Sequence, residues 1–144
     1  MNKNKIIEPQ EKNCILIVED NADMRELLAQ LLEEENIYDL HFAENGLQVI
    51  EQATQLQPDL ILMDMSLPGI SGWEIVPNLR RLPTFSQTPI IAVTAHVSQA
   101  DHDHALAVGS TAYLGKPFDI TEILEIIARL LAESTPGRVR TKEA

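Results

Sequence analysis

Leu60-Ile-Leu-Met-Asp64-Met-Ser-Leu-Pro68-Gly-Ile-Ser-Gly72 is the stretch whose reading decides the fold. It opens as a short apolar run flanked by Pro58 and Asp59, the pattern of a strand buried on both faces. The run ends on a carboxylate, Asp64, and Pro68-Gly69 then punctuates a loop. Ser71-Gly-Trp-Glu74 has the spacing of a helix-opening capping box, with Ser71 as N-cap and Glu74 at the third helical position. An acid at the C-terminal mouth of a buried strand, ahead of a crossover helix, stands where open α/β sheets bind ligands. Asp64 is therefore the candidate reactive residue.

The same alternation extends outward in both directions. Upstream, Ile15-Leu-Ile-Val18 is a second buried-strand run, ending on Glu19-Asp20. Asp20 or Asn21 can cap the following helix, in which Met24, Leu27, Leu28, Leu31 and Leu32 recur with helical spacing. Leu40-His-Phe-Ala43 is a weaker strand candidate; Asn45-Gly46 suggests a turn, and Val49, Ile50, Ala53 and Leu56 line the next helix. Downstream of Gly72, Ile75, Leu79 and Leu82 are expected to face inward, and Pro77 should kink that helix. Ile90-Ile-Ala-Val93 is another buried run, ending on Thr94. Ser98 through Asp101 looks like a capped start to a helix with a thin apolar face, and Gly109 suits its end. Thr111-Ala-Tyr-Leu114 is the last strand, followed by Gly115-Lys116-Pro117. Asp119 and Glu122 open a final helix striped by Ile120, Ile123, Leu124, Ile127, Leu130 and Leu131. Strand and helix thus alternate five times, which argues for a parallel sheet with helices on both faces and right-handed crossovers. Residues 13–132 form this single domain, and residues 1–12 and 133–144 look like polar tails.

Composition sets limits on partners. With 11 basic and 22 acidic residues in 144, the net charge is −11, which opposes direct nucleic-acid binding and adhesion to an anionic membrane. Neither a signal-peptide core nor an apolar run of spanning length is present, so a cytoplasmic location is expected. The single cysteine, Cys14, is read as a small buried hydrophobe in a reduced compartment. Trp73 is expected at or near the surface beside the site loop. His96, His102 and His104 invite a ligand reading, but His102 and His104 are two residues apart and fall on different helix faces.

In a parallel sheet all strand C-termini share one edge, so Glu19, Asp20, Asp64, Thr94 and Lys116 should converge. Three close carboxylates call for a cation, and a small set of hard oxygen ligands suits Mg2+. Lys116 beside them suits a phosphoryl group, Thr94 can donate to a phosphoryl oxygen, and Asp64 can attack phosphorus to give an aspartyl-phosphate.

Ile-Leu-Ile-Val-Glu19-Asp20-Asn, Leu-Met-Asp64-Met-Ser-Leu-Pro68-Gly-Ile-Ser-Gly72, Ile-Ala-Val-Thr94-Ala95 and Tyr113-Leu-Gly-Lys116-Pro117-Phe118 together resemble the receiver domain of two-component response regulators. Each motif alone is weak; the four in this order on four strand ends are specific. The resemblance implies a flavodoxin-like (βα)5 fold with strand order 2-1-3-4-5. It implies that Asp64 takes a phosphoryl group from a histidine kinase or histidine phosphotransfer protein. It implies Mg2+ held by Glu19, Asp20, Asp64 and the backbone carbonyl of Ser66, with Lys116 on the phosphoryl oxygens. Thr94 and Tyr113 would move inward on phosphorylation, and the Lys116–Pro117 bond would be cis. Glu19-Asp20 stands where many members have two aspartates. The implied protein is a stoichiometric phosphoacceptor of single-domain type, not an enzyme. It would act on a protein partner through its fourth helix, fifth strand and fifth helix. Two alternatives stand beside it. An aspartyl phosphatase commonly needs an acid two residues after its nucleophile, where this chain has Ser66. A phosphate-independent scaffold would leave all the reactive groups without a role.

Overall fold

The computed structural model describes residues 12–34, 36–95 and 98–134. The sequence places tails at both ends and a histidine at 96; His96 and most of those tails lie outside the described residues. The elements are β1 (Asn13–Val18), α1 (Ala22–Glu33), β2 (Tyr38–Ala43), α2 (Gly46–Leu56), β3 (Leu60–Asp64), α3 (Gly72–Arg81), β4 (Ile90–Thr94), α4 (Gln99–Ala107), β5 (Ala112–Gly115) and α5 (Ile120–Ser134), with a 3-10 turn at Pro83–Phe85. All strand pairs are parallel and the sheet order is β2-β1-β3-β4-β5. This is the parallel, doubly covered sheet expected from the alternation, with the flavodoxin-like (βα)5 strand order that the receiver resemblance implies.

β3 and β4 are buried along their whole length, as continuous apolar runs in a doubly covered parallel sheet must be. Alternate side chains serve two cores. Leu16, Val18, Ile61, Met63, Ile90 and Ala92 meet α2 and α3 on one face. Ile15, Ile17, Leu60, Leu62, Ile91 and Val93 meet α1 and α5 on the other.

Local signals account for most boundaries. Asn21 caps α1 by accepting from the Met24 amide at 2.8 Å. Ser98 caps α4, accepting from the Asp101 amide at 3.1 Å and donating to its carboxylate at 2.7 Å. Asp119 accepts from the Thr121 amide at the start of α5. α4 ends in a Schellman arrangement: the Ser110 amide donates to the Ala105 carbonyl and the Gly109 amide to that of Leu106. Gly109 takes φ +119° there, a conformation that favours glycine.

Several expectations are corrected. Asn45-Gly46 is not a free turn: Asn45 is the N-cap of α2 and Gly46 its first residue. A Cβ on Gly46 would lie 2.7 Å from the Ile70 carbonyl, so close packing accounts for the glycine. Ser71 is the N-cap of α3, but its side chain makes no capping bond. Its carbonyl accepts from the Glu74 amide instead, at 3.0 Å, which removes the donor a capping box would use. Leu82 is 36% exposed, not inward. Pro83 holds the preceding residue extended, so the helix stops at Arg81 and the buried Phe85 occupies the core. Leu27 is 46% exposed and lines a cleft of about 280 Å³ with Glu19, Asn21, Asp23, Met24 and Lys116. α3 continues through Pro77 to Arg81.

Candidate functional site

The carboxyl ends of β1, β3, β4 and β5 form one edge because every strand pair is parallel and in register. β1 delivers Glu19 and Asp20, β3 delivers Asp64, β4 delivers Thr94 and β5 is followed by Lys116. Asp64 pairs in register with Val93, one residue before Thr94, and Thr94 pairs with Gly115, one residue before Lys116. The Lys116 amide donates to the Thr94 carbonyl at 2.8 Å, which fixes the lysine backbone against β4. The Lys116–Pro117 peptide is cis.

Glu19 is 4%, Asp64 3% and Thr94 1% exposed, whereas Asp20 is open to solvent. Lys116 Nζ lies 3.4 Å from both Glu19 Oε1 and Asp64 Oδ2, bridging the two buried carboxylates. Asp64 Oδ1 accepts from the Ser66 amide at 2.9 Å. Glu19 Oε2 accepts from the Asn21 amide at 3.2 Å, and its main-chain carbonyl accepts from Arg25 at 2.9 Å.

One carboxylate oxygen from each of Glu19, Asp20 and Asp64 lies within 4.8 Å of the others. Burial, and then the charge of Asp64, push the Glu19 carboxyl above its ordinary range; the Asn21 amide and Lys116 only partly offset this. A buried carboxylate that repels its neighbour despite a bridging lysine is short of positive charge. An all-oxygen donor set short of positive charge fits a hard divalent ion such as Mg2+.

Tyr113, on β5, is half-buried and packs against the α2–α3 core. Its ring meets His102 edge-on at 5.0 Å, and burial followed by Asp101 raises its phenol. His104 stacks on Trp73, with ring centroids 4.4 Å apart and planes 9° from parallel. The two histidines thus reach different partners, as their spacing requires.

Arg80 has a role that the sequence pattern alone does not disclose. Its Nε donates to the Gly109 carbonyl at 2.9 Å, its Nη1 to the Phe85 and Thr88 carbonyls at 2.7 and 2.6 Å, and its Nη2 to Thr111 at 3.2 Å. It joins α3 to the exit of α4 and the entries of β4 and β5. Its one local signal is its position directly after the buried Leu79, in the last turn of α3.

Residues 15–128 match the response regulator receiver domain model. The chain is 39% identical over 124 residues to YkoG, an uncharacterized transcriptional regulatory protein of Bacillus subtilis, covering 86% of this chain and 53% of that protein. It is 34% identical over 120 residues to the polar-differentiation response regulator DivK of Brucella anthropi, covering 83% of this chain and 97% of DivK. The chain therefore spans about half the length of YkoG and nearly all of DivK. A solved receiver domain of the sensor histidine kinase PA1611 from Pseudomonas aeruginosa, described with magnesium coordinated in its active site cleft, has TM-score 0.77 and 31% identity, covering 85% of this chain and 99% of that one. Fold, strand-end chemistry and sequence agree, and the chain belongs to the response regulator receiver domain family of two-component systems.

Proposed function

We infer that Asp64 is the phosphoacceptor of this receiver, taking its phosphoryl group from a histidine kinase or a histidine phosphotransfer protein. The observation that carries the reading is a buried Asp64 with Lys116 Nζ at 3.4 Å and two further carboxylates beside it on one sheet edge. An Asp64 oxygen attacks phosphorus, the phosphorus–nitrogen bond of the donor breaks, and the imidazole leaves with that electron pair. Lys116 balances charge on the phosphoryl oxygens, and Thr94 donates to one of them. Glu19, Asp20, Asp64 and the Ser66 carbonyl would hold Mg2+, which when bound supplies charge neutralisation at the phosphoryl group. The same groups would assist loss of the phosphoryl group, so the protein is an acceptor that promotes its own modification.

Output runs through α4, β5 and α5. α4 buries fully only Ala105 among its residues, so few core contacts hold it in one position. Phosphorylation would draw Thr94 and Tyr113 inward and bias this face between two arrangements.

The test is intact mass after incubation with a small phosphodonor and with phosphorylated histidine donors, with and without Mg2+. One acid-labile adduct, lost in Asp64→Asn and without Mg2+, is expected. No adduct with any donor would overturn the reading. For the output step, Thr94→Ala should stay phosphorylatable yet lose phosphorylation-dependent partner binding; unchanged binding would refute the switch.

A further inference from the structure

A second group of metal-ligating side chains lies at the other end of the sheet. Cys14 on β1 and Asp39 on β2 are register partners, and His41 follows Asp39 by two residues. Side chains two apart on a strand share a face, as do those of paired residues. One donor atom from each of Cys14, Asp39 and His41 lies within 4.8 Å of the others. Glu19 lies five residue steps along the chain from Cys14, roughly 16 Å at the strand rise, so this group is distinct from the phosphoacceptor site.

We propose that Cys14, Asp39 and His41 form a Zn2+-class metal site on the β1–β2 edge. The donor set is one sulfur, one imidazole nitrogen and one carboxylate oxygen, a mixture that selects a borderline transition ion over Mg2+ or Ca2+. Three protein ligands leave a fourth tetrahedral position for water. His41 Nε2 and Asp39 Oδ2 are already 3.2 Å apart, about the spacing of two ligands on one small ion. The side chains of His41 and Asp39 are 37% and 59% exposed, which gives an entry path and rotamer freedom to close on the ion. Cys14 is buried beneath them at 7% exposure, so its sulfur faces the ion from the protein side. Binding replaces the hydrogen between His41 and Asp39 and releases the thiol proton to solvent. β2 is an edge strand, and the ion would tie it to β1.

The test uses the full chain, saturated with Mg2+ to fill the acidic site, and titrated with Co2+ and then Zn2+. One Co2+ per chain should give a thiolate-to-cobalt charge-transfer band, displaced by Zn2+. At stoichiometric Co2+ the band should vanish in Cys14→Ser and in His41→Gln and persist in Asp64→Asn, with folding of each checked by circular dichroism. Zn2+ should slow alkylation of Cys14, the chain's one thiol, by about tenfold or more, because the bound thiolate is no longer a free nucleophile. His41→Gln should weaken Zn2+ binding by roughly 100-fold through loss of one ligand. No band in the wild type at stoichiometric Co2+, a band that survives Cys14→Ser at any Co2+ or His41→Gln at stoichiometric Co2+, or one ion shared between two chains would overturn the proposal.

Discussion

Arg80 supports a prediction whose size can be worked from its contacts. Its guanidinium makes four hydrogen bonds, three of them to the backbone carbonyls of Gly109, Phe85 and Thr88, which lie in the connections before β5 and β4. Hydrogen bonds from a charged donor contribute about 1.5–3 kcal/mol each, so four sum to about 6 kcal/mol at the lower figure. The side chain is half-buried, and burial lowers its pKa. Water can therefore reach part of the vacated site, which halves the loss to about 3 kcal/mol for Arg80→Ala. Lysine presents its donors from one nitrogen and cannot span acceptors in four directions, so Arg80→Lys should still cost about 2 kcal/mol. Urea unfolding followed by far-ultraviolet circular dichroism measures both. With a slope near 2 kcal/mol/M, the midpoint should fall by about 1.5 M for alanine and about 1 M for lysine, with the slope unchanged. Midpoints within about 0.3 M of wild type for both variants would refute the clamp, and a lysine variant equal to wild type would refute the role of the planar fork.

Other outcomes follow from particular contacts. Between the ordinary Glu19 value of 4.5 and its raised folded value, the folded chain holds a proton that the unfolded chain has released. This contribution to stability is therefore full below 4.5 and is lost as pH rises through the folded value. Glu19→Gln should flatten that fall in Tm against pH in metal-free buffer and weaken Mg2+ binding by about tenfold or more; an unaltered slope would count against the repulsion. Gly72→Ala sets a Cβ 2.6 Å from Met65 Sδ and 2.8 Å from its Cα. It should cost about 1–3 kcal/mol and slow phosphorylation by shifting Asp64; wild-type Tm and labelling rate would contradict it. Ser98→Ala removes the α4 cap and should cost about 1 kcal/mol, seen as faster amide exchange confined to α4.

The strands were legible because burial on both faces leaves no room for polar residues. β3 and β4 read as unbroken apolar runs for that reason. β2, at the sheet edge and only partly covered, carries Asp39 and His41 among its apolar residues, so its beginning at Tyr38 was lost. The site was legible because parallel strands force their C-terminal residues onto one edge, whatever their separation in sequence. Leu27 and Leu82 were misplaced because helical spacing shows that a position could face inward, not what meets it there. Arg80 and the contacts of His102 and His104 depend on partners from other elements. Such pairings leave no local periodicity. The grouping of His41 with Cys14 leaves no local signal for the same reason, since Cys14 lies on another strand.

The stack between Trp73 and His104 has an optical consequence. Trp73 is the chain's one tryptophan, so all indole emission comes from this contact. An imidazole face to face with an indole at 4.4 Å is close enough to quench it by electron transfer, more strongly when protonated. The indole belongs to α3, beside the phosphoacceptor loop, and the imidazole to α4. Any displacement of α4 that separates the two rings brightens the protein, so the fluorescence of the unlabelled chain reads out the position of α4 in real time.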